Sequence, residues 1–95
     1  MIRNVVLLKL KAGTPPETLE RLANELQGMQ IPGLINISAG SDAGLREGNM
    51  DFVIIVDLED EAAYRTYDED AEHNRIRRDL VAPVVERVER IQYRV

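Results

Sequence analysis

An α+β fold, with elements in the order strand, helix, strand, strand, helix, strand and an antiparallel four-stranded sheet, is predicted by three observations. Four segments alternate or run apolar as strands do, two regions carry apolar residues at helical spacing, and the first and third strands are apolar on both faces. Right-handed crossovers put strands one and three in the middle of such a sheet. Central strands are the ones that need two apolar faces.

The first strand is read from Ile2 to Lys11. Ile2, Asn4, Val6, Leu8 and Leu10 share one face, and Arg3, Val5, Leu7, Lys9 and Lys11 the other. Thr14-Pro15-Pro16-Glu17 offers an N-cap, Pro at the first helical position and Glu at the third, the pattern of a capping box. Leu19, Leu22, Ala23 and Leu26 follow at helical spacing, and Gly28 falls where the helix should stop. Ile31-Pro32-Gly33 turns the chain into a second strand near Leu34 to Ala39, with Ile35, Ile37 and Ala39 on one side. Gly40 to Met50, with glycines at 40, 44 and 48, reads as one long loop.

The third strand, Phe52 to Leu58, sets Phe52, Ile54 and Val56 against Val53 and Ile55. A second helical region opens at Asp60 or Glu61 and carries Ala62, Ala63, Tyr64 and Tyr67. A break near Asp68-Glu69-Asp70 divides it from a helix over Ala71 to Val81, for which Asp70 is the expected N-cap. Pro83 ends that helix or starts a short turn. The last strand, about Val88 to Val95, puts Ile91, Tyr93 and Val95 on one face, with Tyr93 expected in the core, and Arg90, Gln92 and Arg94 on the other. The order of elements is the split βαβ arrangement of ferredoxin-like folds.

Composition bounds the function. Ninety-five residues, 44% hydrophobic and 31% charged, make a single folded domain over residues 1–95. The absence of Cys excludes disulfides, thiolate zinc sites and Cys nucleophiles. A net charge of −5 disfavours nucleic acid as a partner. No apolar run approaches the roughly 20 residues of a membrane span. Lys9 and Lys11 interrupt the N-terminal apolar run too early for a signal peptide, so a cytoplasmic location is expected. The loop glycines form no nucleotide-binding motif between a strand and a helix.

Helices cover one face of a four-stranded sheet, which leaves Val5, Leu7, Val53 and Ile55 in water in a lone subunit. At roughly 25 cal/mol per Å² of apolar surface, covering them is worth several kcal/mol. A homodimer packed sheet to sheet through these four residues is therefore expected.

His73 is the only histidine, and an ordinary pKa near 6.5 makes it the side chain best poised to move protons at neutral pH. A bland role is open to it as well: a first-turn histidine hydrogen-bonding Asp70 or a backbone group. Tyr67 stands six residues earlier, across the expected break, where both polar tips can meet at one pocket. Asn4 lies on the helix-covered face of the first strand, where a buried amide needs partners. The acids at Asp57, Glu59, Asp60, Glu61, Asp68, Glu69, Asp70 and Glu72 are expected to be solvated helix surface, not a metal site. Arg75, Arg77 and Arg78 are expected to pair with Asp79 and the preceding acids.

The opening Ile2-Arg3-Asn4-Val5-Val6-Leu7-Leu8-Lys9-Leu10-Lys11-Ala12-Gly13-Thr14 resembles that of stress-responsive α/β-barrel (Dabb) domain proteins. So do Ile31-Pro32-Gly33-Leu34 and Ala63-Tyr64-Arg65-Thr66-Tyr67-Asp68-Glu69-Asp70-Ala71-Glu72-His73. The resemblance implies a dimeric α+β barrel with a pocket between sheet and helices. Some members of that family close linear polyketides by an aldol reaction without metal or cofactor, using a first-strand His, a second-helix Tyr and a His-Pro-x-His motif. Carried over, the Tyr falls on Tyr67 and the last His on His73. The first-strand His falls on Asn4, the first His and Pro of the motif on Asp70 and Ala71, and an acid of the last strand on Gln92. Haem-degrading monooxygenases on similar barrels pair a strand Asn with a helix His, as Asn4 and His73 do, but add a Trp that is missing from this chain.

Three functions are thus expected to compete. The first is a homodimeric barrel binding a small, largely apolar molecule at Asn4, Tyr67 and His73. The second is a cofactor-free, metal-free cyclase or aldol-type lyase with His73 as base and Tyr67 polarising a carbonyl. The third is a structural or stress-protective dimer with no pocket.

Overall fold

A computed structural model describes all 95 residues. Its elements are β1 (Ile2–Leu10), α1 (Pro16–Gln27), β2 (Leu34–Ser41), β3 (Phe52–Leu58), α2 (Glu61–Glu69), α3 (Ala71–Ile76) and β4 (Val85–Arg94). α3 runs on into one π-helical turn, Arg77–Val81, where the Ala82 N–H donates to the Arg77 carbonyl at 2.9 Å. The strands form one antiparallel sheet in the order β2-β3-β1-β4, so the two strands with two apolar faces are the central ones.

Register decides which residues share a face, because directly paired residues point to the same side. Val6 pairs with Ile54 and with Arg90, and Val5 with Ile55 and with Ile91. Asn4, Val6, Leu8, Ile54 and Val56 therefore lie under the helices, and Val5, Leu7, Val53, Ile55 and Ile91 on the open side. Leu22 and Leu26 of α1 and Ile76 of α3 complete the core with Leu8, Val56 and Leu58, all fully buried. Each such side chain contributes about 1.5–3 kcal/mol by leaving water.

Gly33 sets how closely α2 approaches the sheet. Its φ is +83°, and a Cβ there would stand 2.5 Å from the Ala63 Cβ. Asp60 caps α2 by accepting from the Ala63 N–H at 2.8 Å, and Asp70 caps α3 as expected.

Five local expectations fail. The capping box at Thr14 does not form: the helix starts at Pro16 with Pro15 as N-cap, and the Thr14 hydroxyl donates to the Lys11 carbonyl at 2.7 Å. Two prolines move the helix start one residue on, out of reach of the threonine. Ile35 does not share a side with Ile37 and Ala39. A register shift between Leu34 and Asn36 makes it an extra residue, 53% exposed, while Leu34 packs on the core in its place. β4 begins at Val85, earlier than Val88, and Tyr93 is not core. Pairing with Arg3 turns Tyr93 to the open face, as pairing with Val5 turns Ile91. Finally, Asp57 is not solvated helix surface: it is buried on β3 in an ion pair with Arg3. No helix is long and apolar enough to cross a membrane.

Candidate functional site

The break between α2 and α3 builds the site. The last carbonyls of α2 have no helical donors ahead of them. That of Tyr67 accepts from the Asp70 N–H at 3.3 Å and lies 2.8 Å from His73 Nδ1. Asn74 Nδ2 donates to the Asp68 and Asp70 carbonyls at 3.1 and 3.0 Å, and Asp70 Oδ2 accepts from the His73 N–H at 2.9 Å. The break is thus closed by side chains from its own two sides, which seats His73 in the first turn of α3.

A carbonyl oxygen can only accept, so Nδ1 of His73 carries the proton and Nε2 keeps its lone pair. The imidazole stacks on the Tyr67 ring, centroids 3.8 Å apart at 26°. Both residues are nearly sealed, at 3% and 2% exposure, as is Asn4 at 2%. Asn4 Oδ1 accepts from Gln92 Nε2 at 2.8 Å, which leaves the Asn4 N–H donors free. His73 Nε2 and the Tyr67 hydroxyl have no partner in the chain. No fully enclosed polar side-chain atom lacks a hydrogen bond, so these free groups open onto space.

That space is a cavity of about 50 Å³ that Asn4, Tyr67 and His73 all line. Leu26, Ile54 and Ile76 make its apolar floor, and Arg77 and Arg90 also reach it. Burial pushes the Tyr67 phenol up to about 12. It also pushes the His73 imidazole below its ordinary value, and the Arg77 guanidinium adds to the shift. At neutral pH the cavity therefore faces a protonated hydroxyl, a neutral imidazole with a free lone pair, and an amide donor.

A wider groove of about 330 Å³ lies at Ile2, Tyr64 and Tyr93, bordered by Glu61, Arg65 and Arg94. Its charges are already matched, since Glu61 pairs with both arginines. The acidic run does not converge on a ligand set for a metal. Asp68, Glu72 and Asp79 pair instead with Arg77, Arg75 and Arg78.

On the open face, Val5, Leu7, Val53 and Ile55 line up as the sequence indicates, and Ile91 extends the strip. Arg3 grips Asp57 with two hydrogen bonds, 2.7 and 3.1 Å, and its guanidinium also reaches the Tyr93 hydroxyl at 3.5 Å. The guanidinium holds the Asp57 carboxyl below the usual carboxylate range. Arg77 and Arg90 were not expected at the site. The β1–β4 register that brings Arg90 over Val6 is the signal that would have found it.

A family model described as the stress responsive A/B barrel domain matches residues 2–95. No curated protein matches the sequence. Among solved structures, a dimeric ferredoxin-like protein of unknown function from Thermobifida fusca is 28% identical with a TM-score of 0.90, over 99% of this chain and 90% of that one. A Dabb family protein with a ferredoxin-like fold from Mesorhizobium loti is 22% identical with a TM-score of 0.77, over 99% and 95%. Hydroxynitrile lyase from Passiflora edulis is 13% identical with a TM-score of 0.83, over 99% and 92%. The last two likenesses are likenesses of fold.

Proposed function

The chain belongs to the stress responsive A/B barrel (Dabb) family, and from that premise we propose that it is a homodimeric barrel whose subunits each bind a small, largely apolar molecule beside His73. One observation carries the binding reading: three nearly sealed polar residues, Asn4, Tyr67 and His73, turn hydrogen-bonding groups without protein partners toward one cavity. The cavity lets water or a ligand meet these groups, and a ligand that displaced water and left one of them unmet would lose about 1–3 kcal/mol. The cavity holds roughly the volume of two waters, so only a short chain enters and the rest of a ligand stays at the rim.

The dimer is supported by the open apolar strip and by relatives described as dimeric, from Thermobifida fusca and from Bacteroides fragilis. The second copy would cover Val5, Leu7, Val53, Ile55 and Ile91.

The tautomer of His73 favours a second reading, cofactor-free lyase or aldol chemistry. Nε2 would take a proton next to a carbonyl while the Tyr67 hydroxyl hydrogen-bonds the carbonyl oxygen. Titration of the protein with butanone, followed by NMR of the His73 imidazole and the Tyr67 ring, tests the binding reading. Saturable shifts confined to the cavity are expected, and their absence defeats it. His73→Ala then separates the two readings: it abolishes aldol-type turnover if His73 is a base, and only weakens affinity if it is a contact.

A further inference from the structure

Charge at the rim says more about the ligand. Every arginine except Arg46 and Arg90 has a carboxylate within ion-pair reach. Arg46 sits on the loop before β3, whereas Arg90 lines the cavity. In a chain with 17 acids and a net charge of −5, an arginine without an acidic partner is a cation left available. Arg77 stands on the same rim, at the start of the π turn, and is tied to Asp68 and Asn74. It adds positive potential from a fixed position, and Arg90 has the free donors. A guanidinium presents its N–H groups as a fork that fits a carboxylate. No carboxylate of the chain lines the cavity to compete with an incoming anion.

Building on the small-molecule reading of this cavity, we propose that its ligand is a small carboxylate. The short hydrocarbon chain lies on Leu26, Ile54 and Ile76, and the anionic group is held at the rim by Arg90. Selectivity follows from the layout: the floor measures chain length, the rim requires charge, and the Tyr67 hydroxyl and Asn4 amide hydrogen-bond an oxygen carried between them.

The test compares butyrate with butyramide, its neutral isostere, by NMR titration at pH 7 of the wild-type protein and of Arg90→Gln. Arg90 is exposed, so its replacement leaves the core intact. Butyrate is expected to shift the His73 and Tyr67 signals with an affinity about tenfold above that of butyramide. Arg90→Gln should remove about fivefold to tenfold of that affinity and leave butyramide unchanged, the size of one partly solvated charge pair. Raising the salt should weaken butyrate alone. If butyramide binds as tightly as butyrate and Arg90→Gln alters neither, the carboxylate assignment falls while the cavity reading stands. If both molecules leave the cavity signals unmoved, both readings fall together.

Discussion

The two faces of the sheet handle polar groups in opposite ways. On the open face Arg3, Asp57 and Tyr93 satisfy one another, and Val5, Leu7, Val53, Ile55 and Ile91 form an apolar strip between them and the polar Lys9, Arg87 and Glu89. On the helix face Asn4, Tyr67 and His73 are buried more deeply, yet each keeps a donor or acceptor without a protein partner. A saturated network serves the fold or an interface. An unsaturated one beside a cavity has groups to offer the ligand proposed above. Burial does not separate the two clusters; the state of their hydrogen bonds does.

Breaking one face and then the other should give different signatures. Leu8→Ala empties a fully buried position on the helix face and should lower unfolding free energy by about 2–5 kcal/mol. Urea denaturation measures it, and the loss should not depend on protein concentration. Leu7→Ala, one residue away but 36% exposed on the open face, should instead cause a loss that varies with concentration if the proposed second copy is what buries it. Ile55→Lys puts a charge in the middle of the strip and should convert the proposed dimer into a folded species of 10.8 kDa by sedimentation. A dimer that survives this change would remove the open face from the interface.

The polar groups separate the faces further. Asp57→Asn leaves the Arg3 guanidinium without its charge partner and should lower stability by about 1–2 kcal/mol. His73 provides a pH signature. Its folded pKa lies below the ordinary 6.5, so the unfolded chain takes up a proton that the folded chain resists. Stability should be full above pH 6.5 and fall as the pH drops below it. His73→Gln should flatten the thermal midpoint over that window; the carboxylates act at lower pH. The smallest effect is expected from Tyr67→Phe. Its hydroxyl has no partner in the chain, so stability should stay within about 0.5 kcal/mol of wild type by thermal denaturation. A larger loss would show that the hydroxyl is tied into the fold.

Much of this could be read from residue order. Helix caps at Asp60 and Asp70, the break before Ala71 and the strand alternation are local properties, set by side chains a few positions apart. The convergence of Asn4, Tyr67 and His73 was legible because strand face and helix break each constrain one direction. Arg90 was not, since nothing in β4 itself says which of its two faces turns toward the helices. An apolar trio at Ile91, Tyr93 and Val95 looks like core until pairing with Arg3 and Val5 sends Ile91 and Tyr93 the other way. Asp57 was lost among its acidic neighbours for the same reason: its partner is 54 residues away.

By itself the sequence determined the order of elements, the two central strands and the apolar strip, all of which follow from periodicity and handedness over short stretches of chain. Only the tertiary structure decided the tautomer of His73, the cavity's volume and the free guanidinium at its rim. The tautomer follows from the Tyr67 carbonyl facing His73 across the helix break. The cavity and the guanidinium at its rim depend instead on the register between strands distant in sequence, where a shift of one residue sends every side chain to the opposite face.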